Sequence, residues 1–169
     1  MERIVLIGMP GAGKTTVGRR IARTRGVSFL DTDRLMEARF GVPVRVLLER
    51  RGREAFLRCE ELTVLAMDAP EGAVVSTGGS VVYSREAMAR LRALGIVVYL
   101  KTDAVSLSRR TGDLRRRGVV AAEGTTIADL LAERAPLYEA HADLTVDASR
   151  GKPEALAARI LAQLTERSA

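Results

Sequence analysis

Gly8-Met9-Pro10-Gly11-Ala12-Gly13-Lys14-Thr15-Thr16 decides how this chain folds. The stretch follows a short apolar run, Ile4-Val5-Leu6-Ile7, and opens a helical pattern through Val17, Ile21 and Ala22. Glycines at this spacing, ending in Lys-Thr between a strand and a helix, make a P-loop. The backbone from Gly11 through Ala12 and Gly13 to Thr16 can curl so that its N–H groups point at phosphates. The positive end of the following helix adds to that field. Lys14 supplies a charge to the β- and γ-phosphates, and the Thr15 hydroxyl is placed to bind Mg²⁺. ATP with Mg²⁺ is therefore the expected pair. The loop alone does not say where the phosphoryl group goes.

Outward from the loop, short apolar runs alternate with helical patterns. After the helix from Thr15 to about Arg25 comes the strand Val27-Ser28-Phe29-Leu30, ending at Asp31. Helical stretches are expected from Asp33 to about Phe40, Pro43 to Arg50 and about Arg53 to Met67. Val74-Val75-Ser76 is a third strand, ended by Thr77-Gly78-Gly79. A helix from Ser84 to Leu94, the strand Ile96–Leu100 and a helix capped by Asp103 follow. Thr111 to about Thr126 has weak periodicity and several glycines, which marks a loop. A helix to Ala140, a strand Leu144–Val146 and a closing helix from Pro153 complete the pattern. Continuous apolar strands separated by helices predict an α/β chain with a parallel sheet covered on both faces. Ligands of such sheets bind beyond the carboxyl ends of the strands. The P-loop, Asp31-Thr32-Asp33 and Thr77-Gly78-Gly79 all fall there, so they should converge on one crevice.

The 169 residues suit a single domain, 1–169, with 47% hydrophobic and 28% charged residues. No apolar stretch approaches a membrane span, and a strand at the very N-terminus leaves no room for a signal peptide. Cys59 is the only cysteine, which excludes internal disulfides and predicts a cytoplasmic protein. The net charge of +6 could suit nucleic acid, but the arginines are scattered and only 4% of residues are aromatic. Neither a nucleic-acid nor a membrane partner is expected. A nucleotide and a small anionic substrate use the same charge. The expected working unit is a monomer.

Asp31 and Asp33 flank Thr32 where a strand turns into a helix. One of them could serve only as an N-cap. Two carboxylates beside a phosphate loop suit metal and proton work: one holds Mg²⁺ through its water shell, the other orients or deprotonates a hydroxyl. Arg58, in Glu54-Ala55-Phe56-Leu57-Arg58-Cys59-Glu60-Glu61, and Arg134, in Glu133-Arg134-Ala135-Pro136-Leu137-Tyr138, would be anonymous surface residues if taken alone. Two guanidinium groups at one crevice would instead define an acidic substrate.

In that order, these pieces resemble the shikimate kinase family over nearly the full length. The match runs through Leu6–Arg19, Phe29-Leu30-Asp31-Thr32-Asp33, Glu54–Glu61, Val75-Ser76-Thr77-Gly78-Gly79 and Glu133–Tyr138. The resemblance implies a three-layer α/β/α fold with a five-stranded parallel sheet, in the P-loop nucleoside monophosphate kinase group. It implies a substrate-binding helical segment at about 33–61 and a lid at about 111–126. The implied reaction is ATP-dependent phosphorylation of shikimate to 3-phosphoshikimate. On the matching positions, Lys14 contacts the transferring phosphate, Thr15 binds Mg²⁺, and Asp31 reaches the ion through water. Asp33 holds the acceptor hydroxyl, Arg58 and Arg134 grip the shikimate carboxylate, and Gly78 and Gly79 let it approach the backbone. Arg117 resembles a lid arginine and Arg110 one that stacks on adenine, with the Arg150–Pro153 loop on the other side of the base.

The chain departs from the family pattern in four places. Three consecutive glycines are replaced by Gly78-Gly79-Ser80. Leu57 stands where a Phe precedes the substrate-binding arginine, with Phe56 one place early, and Gly52 is also displaced by one. The usual lid Arg-Pro-Leu reads Arg117-Gly118-Val119, so Arg115 or Arg116 could take the lid role. Gly118 in place of proline is expected to loosen the lid backbone. Two alternatives stay open: a related kinase acting on another small anionic hydroxy compound, and a ligand-sensing domain without turnover.

Overall fold

Ile4, Val5, Leu6 and Ile7 are all fully buried, so β1 (Arg3–Ile7) has no polar face and must lie within a covered sheet. The structure is a computed structural model describing residues 1–112 and 118–168. It puts β1 at the centre of five parallel strands in the order β2-β3-β1-β4-β5. These are β2 (Phe29–Asp31), β3 (Val74–Ser76), β4 (Gly95–Lys101) and β5 (Leu144–Asp147). The helices are α1 (Lys14–Arg25), α2 (Thr32–Phe40), α3 (Val44–Ala66), α4 (Arg85–Leu94), α5 (Ala104–Thr111), α6 (Ile127–His141) and α7 (Pro153–Ser168). This is the expected α/β fold of the P-loop kinases.

The starts of the helices follow from local chemistry. Asp31 accepts from the Asp33 N–H at 3.1 Å, Ser84 from Ala87 at 3.0 Å and Asp103 from Ser106 at 2.7 Å. Each satisfies an amide that the first helical turn leaves open. Thr126 and Asp129 form a reciprocal capping box on α6. α3 is two helices that meet at a kink, as expected across 43–67: at Gly52 φ 75° and ψ 175° leave helical space. A short 3₁₀ turn, Val81–Tyr83, was not apparent from periodicity.

Register does the rest of the positioning. Leu6 pairs with Ser76, and Ser76 with Asp31. The P-loop, the end of β3 and the first aspartate therefore emerge side by side at the carboxyl ends of neighbouring strands. Most of the apolar interior is a single cluster around the sheet. A separate small cluster, Met36, Leu47, Phe56, Cys59 and Val120, lies beneath α2 and α3. No helix among the described residues is long and apolar enough to cross a membrane.

Candidate active site

The three polar strand ends enclose a crevice of about 440 Å³. Gly11, Gly13, Lys14, Thr15 and Thr16 form one wall. Lys14 is 8% exposed, and its Nζ donates to the Gly8 and Met9 carbonyls at 2.7 and 2.9 Å. Burial lowers its pKa to about 8, against the pull of Asp33 and Asp31. The Thr15 hydroxyl donates to Asp31 Oδ2 at 2.9 Å and lies 3.4 Å from Ser76 Oγ. A hydroxyl and a carboxylate at the start of a P-loop helix are hard oxygen donors that fit Mg²⁺.

The two aspartates divide their work. Asp31 caps α2 with Oδ1 and meets Thr15 with Oδ2. Asp33 instead turns into the crevice between Lys14 and Gly78. Burial, then the neighbouring Asp31 charge, raises its pKa to about 6, while Lys14 opposes the shift.

The opposite wall is built on backbone that has no room for side chains. A Cβ on Gly79 would stand 2.8 Å from Pro10 Cδ and 3.1 Å from Arg134 Nη1. One on Gly78 would collide with Glu60 Oε1 and lie 2.9 Å from Asp33 Oδ1. Arg134 is 1% exposed; it donates to Tyr83 Oη at 3.0 Å and the Val120 carbonyl at 2.5 Å, and packs over the Tyr83 ring. These contacts hold a charged fork at the crevice with its Nη1 against Gly79. Glu60 is 3% exposed. Ser80 Oγ donates to its Oε2 at 2.7 Å, while Oε1 is buried without a hydrogen-bond partner among the described residues. Burial pushes the Glu60 carboxyl up to about 7; the Ser80 bond pulls it back and the Asp33 charge adds to the rise.

The expected lid contributes Gly118, Val119 and Val120 to the crevice. Gly118 does not act as a loose hinge. Its φ is 65°, and a Cβ there would stand 2.8 Å from Arg45 Cα, so this position is a close docking point that proline could not occupy. Arg117, with Arg115 and Arg116, lies outside the described residues.

Several expected site residues are placed elsewhere. Arg58 does not line the crevice: its side chain is 65% exposed and ion-pairs with Glu61. The physical reason is helix phase. Phe56 and Glu60, four residues apart, both face the crevice, and Arg58 midway between them points to the far side. With Phe56 one place early, the position following it holds Leu57, which packs half-buried against the small cluster. Ala12 is also absent from the wall: it is buried, and its N–H donates to the Met9 carbonyl at 3.1 Å. Arg110 lines the crevice and donates to the Ala148 and Ser149 carbonyls at 3.0 and 2.8 Å. Arg150 and Pro153, just beyond, do not line it. Glu60, Val44 and Val119–Val120 were missed from the sequence. The Phe56-to-Glu60 spacing was the one available signal for Glu60.

The comparisons with known proteins agree with this geometry. Residues 10–165 match the family model for shikimate kinase. A shikimate kinase of Mycobacterium avium is 41% identical over 167 residues, covering 96% of this chain and 93% of the relative. A shikimate kinase from Acinetobacter baumannii, solved in complex with shikimate, superposes with a TM-score of 0.91 at 32% identity, covering 99% and 94% of the two chains. The enzyme from Aquifex aeolicus gives 0.84 at 28% identity, covering 98% of each.

Proposed function

The chain belongs to the shikimate kinase family, and from that premise we propose how its own residues perform the reaction. That reaction is ATP-dependent phosphorylation of shikimate to 3-phosphoshikimate, a step towards the aromatic amino acids. One observation carries the assignment of roles: the Asp33 carboxyl sits between the phosphate loop and the acceptor wall, half-buried and facing Gly78.

With a pKa of about 6, Asp33 is largely ionised at neutral pH and accepts a hydrogen bond from the attacking hydroxyl. As the new O–P bond forms and the β–γ bridge breaks, the hydroxyl proton passes to Asp33 and ADP departs. The P-loop amides and Lys14 hold the transferring phosphoryl group. At about 8, Lys14 is still mostly charged at pH 7, and an incoming phosphate strengthens that charge. Mg²⁺, held by Thr15 and through water by Asp31, would neutralise charge on the phosphate oxygens. Arg134 receives the shikimate carboxylate. Arg110, in the crevice wall, borders the adenine, with the Arg150–Pro153 loop on the other side of the base. Arg117 closes over the phosphates from the lid, and closure keeps water from competing as acceptor.

Release of ADP, measured with ATP, Mg²⁺ and shikimate, tests the central role. Asp33→Asn is expected to lower kcat about 10²- to 10⁴-fold while ATP affinity stays within about threefold. Near-normal kcat would remove Asp33 from the mechanism. The enzyme is proposed to work as a cytoplasmic monomer without nucleic-acid or membrane partners. Its single thiol is buried, and the exposed large apolar side chains among the described residues are Met1 before β1, Leu65 on α3 and Val105 on α5. Sedimentation as a dimer would overturn the monomer.

A further inference from the structure

Gly78 and Gly79 have no side chains to hold them, yet they stand between the two residues that take hold of the acceptor. Asp33 Oδ1 lies 2.9 Å from where a Cβ on Gly78 would be, and Arg134 Nη1 lies 3.1 Å from where one on Gly79 would be. Two glycines in a row are the least restrained backbone from which a wall can be built. What fixes their shape has to come from outside.

Two buried hydroxyls do so, one at each end. Thr32 Oγ1 accepts from the Gly78 N–H at 3.1 Å. Tyr138 Oη donates to the Gly79 carbonyl at 2.6 Å. Each hydroxyl belongs to the helix that carries the neighbouring charged group. Thr32 directly precedes Asp33 on α2. Tyr138 follows Arg134 by one turn on the same face of α6. The fully buried Tyr138 ring is itself held by stacking on Tyr99, with 5.0 Å between centroids. Tyr138 is outside the crevice lining, so it acts on the acceptor through Gly79.

We propose that Tyr138 is a positioning residue for the acceptor: by holding the Gly79 carbonyl it fixes the two-glycine strut, and with it the span between Asp33 and Arg134. This rests on the reading that Asp33 holds the reacting hydroxyl of shikimate and Arg134 its carboxylate. Without the phenol O–H the Gly79 carbonyl loses its donor, and the peptide between Gly79 and Ser80 is free to turn. The P-loop amides and Lys14 are built on β1 and α1 and do not depend on that bond.

The test compares the steady-state kinetics of Tyr138→Phe and Tyr99→Phe. Both variants keep the stacked rings and fill the same volume, so both are expected to fold. Tyr99 Oη is buried without a hydrogen-bond partner among the described residues, so Tyr99→Phe controls for deleting a hydroxyl from the same stack. In Tyr138→Phe the KM for shikimate should rise about 5- to 10-fold, the worth of one hydrogen bond. Its kcat should stay within about threefold and its KM for ATP within about twofold. Tyr99→Phe should keep all three within about twofold. An unchanged KM for shikimate in Tyr138→Phe, an equal rise in Tyr99→Phe, or a parallel rise in the KM for ATP overturns the proposal. The reading beneath it is checked separately. Retained turnover in Asp33→Asn breaks its hydroxyl half, and a native KM as low for the carboxamide of shikimate as for shikimate breaks its carboxylate half.

Discussion

Leu6, in the strand that leads into the P-loop, and Val120, in the crevice wall, are both buried apolar residues, and they rest on different foundations. Leu6 belongs to the central strand and the large cluster around the sheet. It lies in a strand whose neighbours on both sides are hydrogen-bonded to it, so the ATP-binding wall is held by the whole interior. Val120 belongs to a cluster of five residues under α2 and α3 and reaches it from the arm of the lid. Its carbonyl also takes a hydrogen bond from Arg134. The acceptor wall is thus completed by a segment that must dock onto it, whereas the donor wall is complete as soon as the sheet forms. Nucleotide binding and acceptor binding should respond to different mutations.

The hardest test of that division is Lys14→Met, which keeps the stem and removes the charge. kcat should fall about 10²- to 10³-fold, the scale for losing one preorganised charge-stabilising donor, with shikimate binding measured by calorimetry nearly unchanged. A comparable loss of shikimate affinity would break the separation of the two walls.

Glu60 offers a stability test confined to the acceptor wall. Its carboxyl titrates near 4.5 when unfolded but at about 7 in the fold. A raised acid pKa means that the folded state loses stability as pH rises through this interval. Glu60→Gln should match the native protein below about pH 4.5 and exceed it at pH 8 by up to roughly 3 kcal/mol. Thermal melts at the two pH values check the sign. Equal melting shifts at both would mean that ionisation of Glu60 carries no cost.

Val120→Ala should cost about 1–2 kcal/mol from a small buried cavity, raise KM for shikimate and leave KM for ATP alone. An equal rise in both would show that the two walls move together. The smallest effect is expected at Arg58→Ala. Its exposed pair with Glu61 is worth no more than about 1 kcal/mol, so KM for shikimate should change less than about twofold.

The difference between the walls also explains what could be read in advance. The P-loop, Asp31 and Asp33 are local signals: a few consecutive residues between a strand and a helix determine where their side chains go. The sheet was legible for the same reason, because fully apolar runs such as Ile4–Ile7 have only one place to be buried. Arg58 depended instead on the rotational phase of α3, which Gly52 interrupts. Phe56 and Gly52, both one residue early, shift that phase, and the expected arginine position falls on Leu57. Only its spacing from Phe56 hinted at Glu60, whose surroundings come from contacts with Ser80 and Gly78, some twenty residues away. Val120 was hidden in a stretch without periodicity.

The small cluster shares no side chain with the large one, and this has a consequence for how such an enzyme diversifies. Substitutions at Met36, Leu47 and Cys59 repack the support behind Phe56, which lines the crevice, and leave the large cluster beneath the P-loop untouched. The chain can change its clientele without relearning how to fold.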